Sequence, residues 1–86
     1  MSFLSKNVIP GNHGKVFGTN ATSHQDLIII QTAVQKIKGV KDAIIKEDVF
    51  PREITIHTEA VVSVKEIEDV VIAVGFHAIP KSIFPL

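Results

Sequence analysis

Two histidines and an aspartate are the residues of this 86-residue chain whose types and positions could support metal chemistry. His24 and Asp26 lie at the start of a predicted helix, and His77 follows a second predicted helix. Imidazole nitrogens and carboxylate oxygens are ligands that zinc, nickel and cupric copper accept. His24, Asp26 and His77 are therefore candidate metal ligands, whereas cuprous copper prefers sulfur ligands that these positions lack.

The same positions also have a purely structural interpretation. Ser23 is a good helix N-cap, and Asp26, three residues later, could bond back to it as in a capping box. Histidines scattered over a small chain more often make ordinary surface hydrogen bonds, which is how we interpret His13 and His57. At this stage both interpretations of the loop before the first helix remain open.

The elements that would position these residues follow from hydrophobic periodicity and from turn signals. The apolar stripe Leu27, Ile30, Val34 and Ile37 predicts a helix from Ser23 to a left-handed stop at Gly39. Ser63 and Glu66 form a second capping signal, before an apolar helix that ends at Gly75. Alternating patterns predict strands over 15–20, 40–46, 53–58 and 76–79, with an irregularity at Gly18.

This order of elements predicts an α+β fold, a ferredoxin-like βαββαβ sandwich. Its four-stranded antiparallel sheet would carry both helices on one face. Successive elements reverse direction, so the first strand–helix loop, the central hairpin and the second helix–strand loop should share one end. That end would gather His24, Asp26, Glu47, Asp48, Phe50, Phe76 and His77.

Several of these features together resemble the heavy-metal-associated domain of copper chaperones and metal-pumping ATPases. The resemblance covers roughly residues 14 to 80 and rests on the helix positions Ile30, Ala33, Val34 and Ile37, the exit at Gly39 and Val40, and the segment Ala73-Val74-Gly75-Phe76. In that family the loop before the helix reads Gly-Met-Thr-Cys-x-x-Cys. Counting back from Gly39 puts Ser23 and Asp26 at the two cysteine positions. The resemblance thus implies the family's fold with its thiolate metal site absent.

Composition argues against several classes of function. Lysine plus arginine and aspartate plus glutamate number nine each, so there is no net charge to attract nucleic acid or anionic membranes. The longest apolar run is far shorter than the ~20 residues that span a bilayer, and no secretory signal is recognisable. Neither a nucleophile with a base nor an arginine-containing phosphate loop is present, so no enzymatic activity is expected. We expect a soluble, cytoplasmic protein.

Apolar residues are more numerous than one core requires. Ile28, Ile29, Phe50 and Ile72 fall outside the predicted stripes and are candidate interface residues for a homodimer or another protein partner. Alternatively, an irregular N-terminal arm (residues 1–13) and a C-terminal tail (residues 81–86), which flank the domain at 14–80, fold back over these side chains.

The sequence therefore predicts a non-enzymatic binding module that lacks a resident cofactor and acts in protein interaction or self-association. The alternative is a metal-binding or metal-transport domain in which His24 and Asp26, with His77, replace the cysteine pair and hold zinc, nickel or cupric copper weakly. A third interpretation is a structural oligomerisation unit.

Overall fold

The computed structural model describes residues 7–10 and 14–81 of the chain. These residues contain six strands and two helices. In chain order they are β1 (Asn7–Val8), β2 (Lys15–Thr19), α1 (His24–Gln35), β3 (Val40–Lys46), β4 (Arg52–Thr58), β5 (Val62–Ser63), α2 (Val64–Ala73) and β6 (Ala78–Pro80). The α+β class predicted from the sequence is confirmed.

Four of the strands form an antiparallel sheet in the order β3-β4-β2-β6. Phe17 of β2 is paired with Ile54 of β4 on one side and with Pro80 of β6 on the other. The prediction of an irregularity at Gly18 is wrong, because the β2–β4 register runs without a shift from Lys15 to Thr19. The bulge lies instead between Val40 and Asp42, in the pairing of β3 with β4.

Alternation along the strands separates a buried face of the sheet from an outer face. On β4, Ile54, Ile56 and Thr58 are buried, while the residues between them are half-exposed. The buried side chains of the sheet and of both helices form a single core cluster. We call the opposite side of the sheet the outer face; its residues include Asp42, Ile44, Glu53, Thr55, His57, Val16, Gly18 and Ile79.

Both helices begin on the serine caps that the sequence carries, and α2 also ends at its predicted glycine. The Ser23 and Ser63 hydroxyls accept hydrogen bonds from the backbone N–H groups of Asp26 (3.1 Å) and Glu66 (3.0 Å). Gly39 and Gly75 have φ values of 98° and 99°, the left-handed conformation that favours glycine after a helix. Helix α1 ends earlier than predicted, at Gln35, and a turn leads from there to Gly39.

A second, two-stranded sheet was not predicted. Residues Asn7 and Val8, within the segment interpreted as irregular, form β1 and pair with Ser63 and Val62 of β5. Val8 is 1% exposed and belongs to the core cluster. This part of the predicted arm therefore contributes to the core, whereas residues 1–6 and 11–13 lie outside the described part of the chain, as do residues 82–86 of the predicted tail.

Candidate functional site

The loop before α1 and the β3–β4 hairpin meet, as the predicted topology requires. His24 Nδ1 lies 2.5 Å from Glu47 Oε2, and both side chains are exposed. The hairpin is held locally by Arg52, whose guanidinium Nη1 donates to the Val49 carbonyl over 2.9 Å. The contact joins two candidate ligand types, an imidazole and a carboxylate, at one point of the surface.

The other two candidate ligands make different contacts. The backbone N–H of Asp26 donates to Ser23 as part of the helix cap, and the backbone N–H of His77 donates to Asn20 Oδ1 over 2.8 Å. Among residues 7–10 and 14–81, no group of three or more histidines and acidic residues is placed to hold a metal ion. His24, Asp26 and His77 are therefore not gathered into a metal site in the described part of the chain.

His57, predicted to be an ordinary hydrogen-bonding histidine, lies on the outer face and is paired with Asp42 of β3. Its Nδ1 is 2.7 Å from Asp42 Oδ1, and its ring is largely buried. A histidine paired with one carboxylate across two strands stabilises the pairing of β3 and β4 without any ligand. The position of His13 lies outside the described residues.

An open groove lies on the outer face at this end of the molecule. Its volume is about 420 Å³, and the surface that its walls expose is almost entirely apolar, although polar residues also line it. Such a volume is within the range of small-ligand pockets, roughly 300–1,000 Å³. The lining residues come from β2, the hairpin and the segment around β6: Gly18, Thr19, Asn20, Pro51, His77, Ile79 and Lys81.

Gly18 lines the groove without contributing a side chain. A Cβ atom built on Gly18 would lie 3.9 Å from Pro51 Cγ and 4.0 Å from the Ile79 carbonyl oxygen, which are ordinary van der Waals distances. Any larger side chain at this position would extend into the groove. In the sequence, Gly18 predicted only a strand irregularity, because the residues that face it in the groove are distant in the chain.

One wall of the groove ends in a fixed ion pair. The Lys81 ammonium lies 2.5 Å from Glu53 Oε2, and the Glu53 side chain is only 17% exposed. The Lys81 backbone N–H also donates to the Val16 carbonyl over 2.9 Å. At this wall the Lys81 charge is therefore paired with the Glu53 carboxylate.

The candidate interface residues are exposed but lie on different elements. Phe50 is 83% exposed and directly precedes Pro51 of the groove, whereas Ile28 and Ile29 are on α1 and Ile72 is on α2. Ile79, which lines the groove, is 66% exposed and was not singled out from the sequence. Pro51 and Ile79 are apolar residues of the groove, and Phe50 is the exposed residue that adjoins Pro51 in the chain.

No protein-family model matches this chain, and no curated protein is similar enough in sequence to be a match. In the described residues, no helix is long and apolar enough to cross a bilayer.

Proposed function

We propose that this chain is a non-enzymatic binding module of ferredoxin-like topology that receives an apolar side chain of a protein partner in the groove over Gly18. The sheet order β3-β4-β2-β6 and the alternation of strands and helices support this topology. The short sheet of β1 and β5 is then an addition at its margin.

The observation that carries the binding proposal is the apolar groove with Phe50 beside it. Solvent-exposed aromatic residues next to concave apolar pockets are typical of protein-binding surfaces, in which a few anchors provide most of the affinity. Here Phe50 projects from the hairpin, and Ile79 and Pro51 form walls that an aliphatic or aromatic side chain would contact. An apolar ligand would bury its surface against walls whose exposed surface is almost entirely apolar.

The proposal agrees with the resemblance to heavy-metal-associated domains if this chain is a version of that domain whose metal-binding cysteines are absent. At the two positions where that family has cysteines, Ser23 caps α1 and Asp26 donates its backbone N–H to the cap. The helix start is thus stabilised without a metal. We propose that the family's scaffold is retained here, while interaction with a partner replaces thiolate metal binding.

The proposal is tested with N-acetyl-phenylalaninamide, a small probe that carries one aromatic side chain and no charge. We expect its addition to the ¹⁵N-labelled chain to shift the amide signals of Gly18, Asn20, His77 and Ile79 in a saturable manner. Gly18→Val should abolish these shifts, because its methyl groups would occupy the groove while a β-branched residue suits a strand.

Ile29→Ser is the matched control, since it removes an exposed apolar side chain from α1 and should leave probe binding unchanged. Shifts that are equally large in wild type and Gly18→Val, or that concentrate at α1, would contradict the groove as the binding site.

A further inference from the structure

The two edges of the four-stranded sheet differ in what they offer to another strand. Strand β6 forms one edge and has only three residues. Lys81 donates its N–H to Val16 of β2, so Pro80 before it faces outwards, where it lacks the N–H that a further strand would need. Strand β3 forms the other edge with seven residues and no proline. Among the described strands β3 is paired only with β4, so its other side is open to a further strand.

The backbone groups of Ala43 and Ile45 define the open side of β3. The Ala43 carbonyl accepts a hydrogen bond over 2.6 Å from Nε2 of Gln31 on α1, so it points to that side. In an antiparallel ladder, residues that point away from the neighbouring strand alternate with residues that are bonded to it. Ile45, two residues further on, therefore also directs its N–H and carbonyl away from β4. A strand added to this edge would bond to these two residues.

We propose that the strand which fits this edge is β3 of a second copy of this chain, and that Gln31 prevents this pairing in the wild-type protein. In the sheet order, β4 separates β3 from β2 and β6, the strands that line the groove. Self-pairing at β3 is therefore independent of the binding proposed for the groove.

The sequence of β3 is complementary to itself in one antiparallel register. With Ile44 opposite Ile44 of the second copy, Ala43 of each chain faces Ile45 of the other, and the two can exchange backbone hydrogen bonds. In the same register, Asp42 of each chain faces Lys46 of the other. Aliphatic pairs and opposite charges on neighbouring strands both stabilise a sheet. A shift by two residues in either direction would lose the Ile44 pair and both charge pairs.

The side chains that would meet in this register are accessible. Ile44 is 53% exposed, and Asp42 remains 46% exposed although one of its oxygens contacts His57. Lys46 is exposed and has no ion-pair partner among the described residues. Pairing would bury Ile44 and would give Lys46 an opposite charge.

Gln31 lies where the second copy would have to bind. Its Nε2 already donates to the Ala43 carbonyl, the acceptor that Ile45 of the other chain would need. Neighbouring strands lie about 4.8 Å apart, so the Gln31 amide occupies space that the incoming backbone requires. Both copies carry Gln31, and each would have to move. Two paired strands of seven residues form a small interface compared with the roughly 1,200–2,000 Å² of stable complexes, so this obstacle keeps the wild type monomeric.

Gln31→Ala tests the obstacle, because alanine suits a helix and removes only the amide group and its stem. We expect this variant to dimerise with a dissociation constant about tenfold or more below that of wild type, since no Gln31 bond competes in either copy. Sedimentation equilibrium from micromolar to millimolar concentration measures it. Gln35→Ala is the matched control and should stay monomeric, because exposed Gln35, one turn further along α1, makes no side-chain hydrogen bond to the described residues.

A charge reversal on β3 identifies the surface that pairs. In the Gln31→Ala background, Lys46→Asp places two carboxylates opposite each other and should abolish the dimer. Lys38→Asp, which reverses a charge before β3, should leave the dimer intact. In Gln31→Ala itself, the Ile45 amide should exchange its hydrogen more slowly at millimolar than at micromolar concentration, because it gains a partner in the dimer.

Three results would overturn the proposal. The first is a folded Gln31→Ala variant, as judged by circular dichroism, that stays monomeric at millimolar concentration. The second is a Gln31→Ala dimer that persists with Lys46→Asp. The third is a wild-type chain that dimerises as strongly as Gln31→Ala, since Gln31 would then be no obstacle. None of these results bears on probe binding in the groove.

Discussion

At the scale of single residues, the Ser23 hydroxyl caps the start of α1. It accepts the Asp26 backbone N–H over 3.1 Å, while the Asp26 carboxylate makes no return bond to Ser23 within the described part of the chain. Only the serine half of the predicted capping box is therefore formed. A single N-cap already satisfies one of the unpaired N–H groups at a helix start.

We expect Ser23→Ala to lower the free energy of unfolding by about 1 kcal/mol, because the cap is lost. Chemical denaturation followed by circular dichroism measures the change. Thr22→Ala is the matched control, since the exposed Thr22 side chain makes no hydrogen bond to the described residues and should contribute less than about 0.5 kcal/mol. Equal effects of the two substitutions would mean that the cap is unimportant.

The two glycines that follow the helices form a natural pair for measuring backbone strain and steric contact separately. Both have φ near 100°, but a Cβ on Gly39 would lie 2.9 Å from Val62 Cγ2, whereas nothing lies within 4 Å of one on Gly75. We expect Gly75→Ala to destabilise the fold by about 1–2 kcal/mol through strain alone. Gly39→Ala should destabilise it more.

Thermal and denaturant unfolding of both variants provides the comparison. A Gly39→Ala effect no larger than that of Gly75→Ala would show that Val62 moves aside without loss of packing, contrary to this expectation.

At the scale of elements, the β2–α1 loop should still accept a thiolate pair. Residues 23 and 26 lie three apart at the helix start, a spacing that places side chains on one side of a helix turn. We expect Ser23→Cys/Asp26→Cys to gain affinity for cuprous ion, which prefers sulfur ligands, without a change of fold. Competition with a chromogenic cuprous chelator measures the affinity.

Thr22→Cys/Asp26→Cys is the control with the wrong spacing and should bind cuprous ion more weakly. Similar affinities in both variants would argue against the family resemblance of this loop.

The short sheet of β1 and β5 is the element that most extends the core beyond the predicted domain. Val8 is almost fully buried, so Val8→Ala removes two buried carbon groups and leaves a small cavity. We expect a loss of about 2 kcal/mol in the free energy of unfolding. Val61→Ala, beside β5 but 52% exposed, should change stability by less than about 0.5 kcal/mol.

Denaturant titrations of the two variants measure this difference. If Val8→Ala is as mild as Val61→Ala, the two-stranded sheet does not contribute to the stability of the core.

At the scale of the whole molecule, the exposed large apolar side chains of the described residues are spread over several elements. Ile28, Ile29 and Ile72 lie on the helices, Phe50 and Ile79 lie near the groove, and Ile44 and Val61 lie on β3 and just before β5. The absence of net charge does little to oppose association.

We expect a monomer mass that does not change on dilution, because the exposed apolar side chains of the described residues are scattered over several elements. Light scattering from micromolar to millimolar concentration measures it. The Ile29→Ser and Phe50→Ser variants serve as comparisons, because each removes one apolar side chain from a different surface. A dimer that Phe50→Ser abolishes, while Ile29→Ser leaves it intact, would instead favour self-association through the groove surface.

Local signals made most of the framework predictable. The caps at Ser23 and Ser63, the stops at Gly39 and Gly75, and the alternation on β4 each depend on residues within a few positions of one another. These features predicted both helices and the four strands of the larger sheet. The pairing of β1 with β5 was missed because two residues are too few to show a period, and their partners lie more than fifty positions away.

The sequence by itself determined the α+β class, the order of the main elements, the helix caps and the absence of a cysteine pair, because each depends on residue type or on short-range spacing. Only the tertiary structure decided that His24 contacts Glu47 while Asp26 and His77 make other bonds, and that Gly18, Pro51 and Ile79 enclose a groove. These arrangements depend on strand order and register, which bring together side chains from distant parts of the chain.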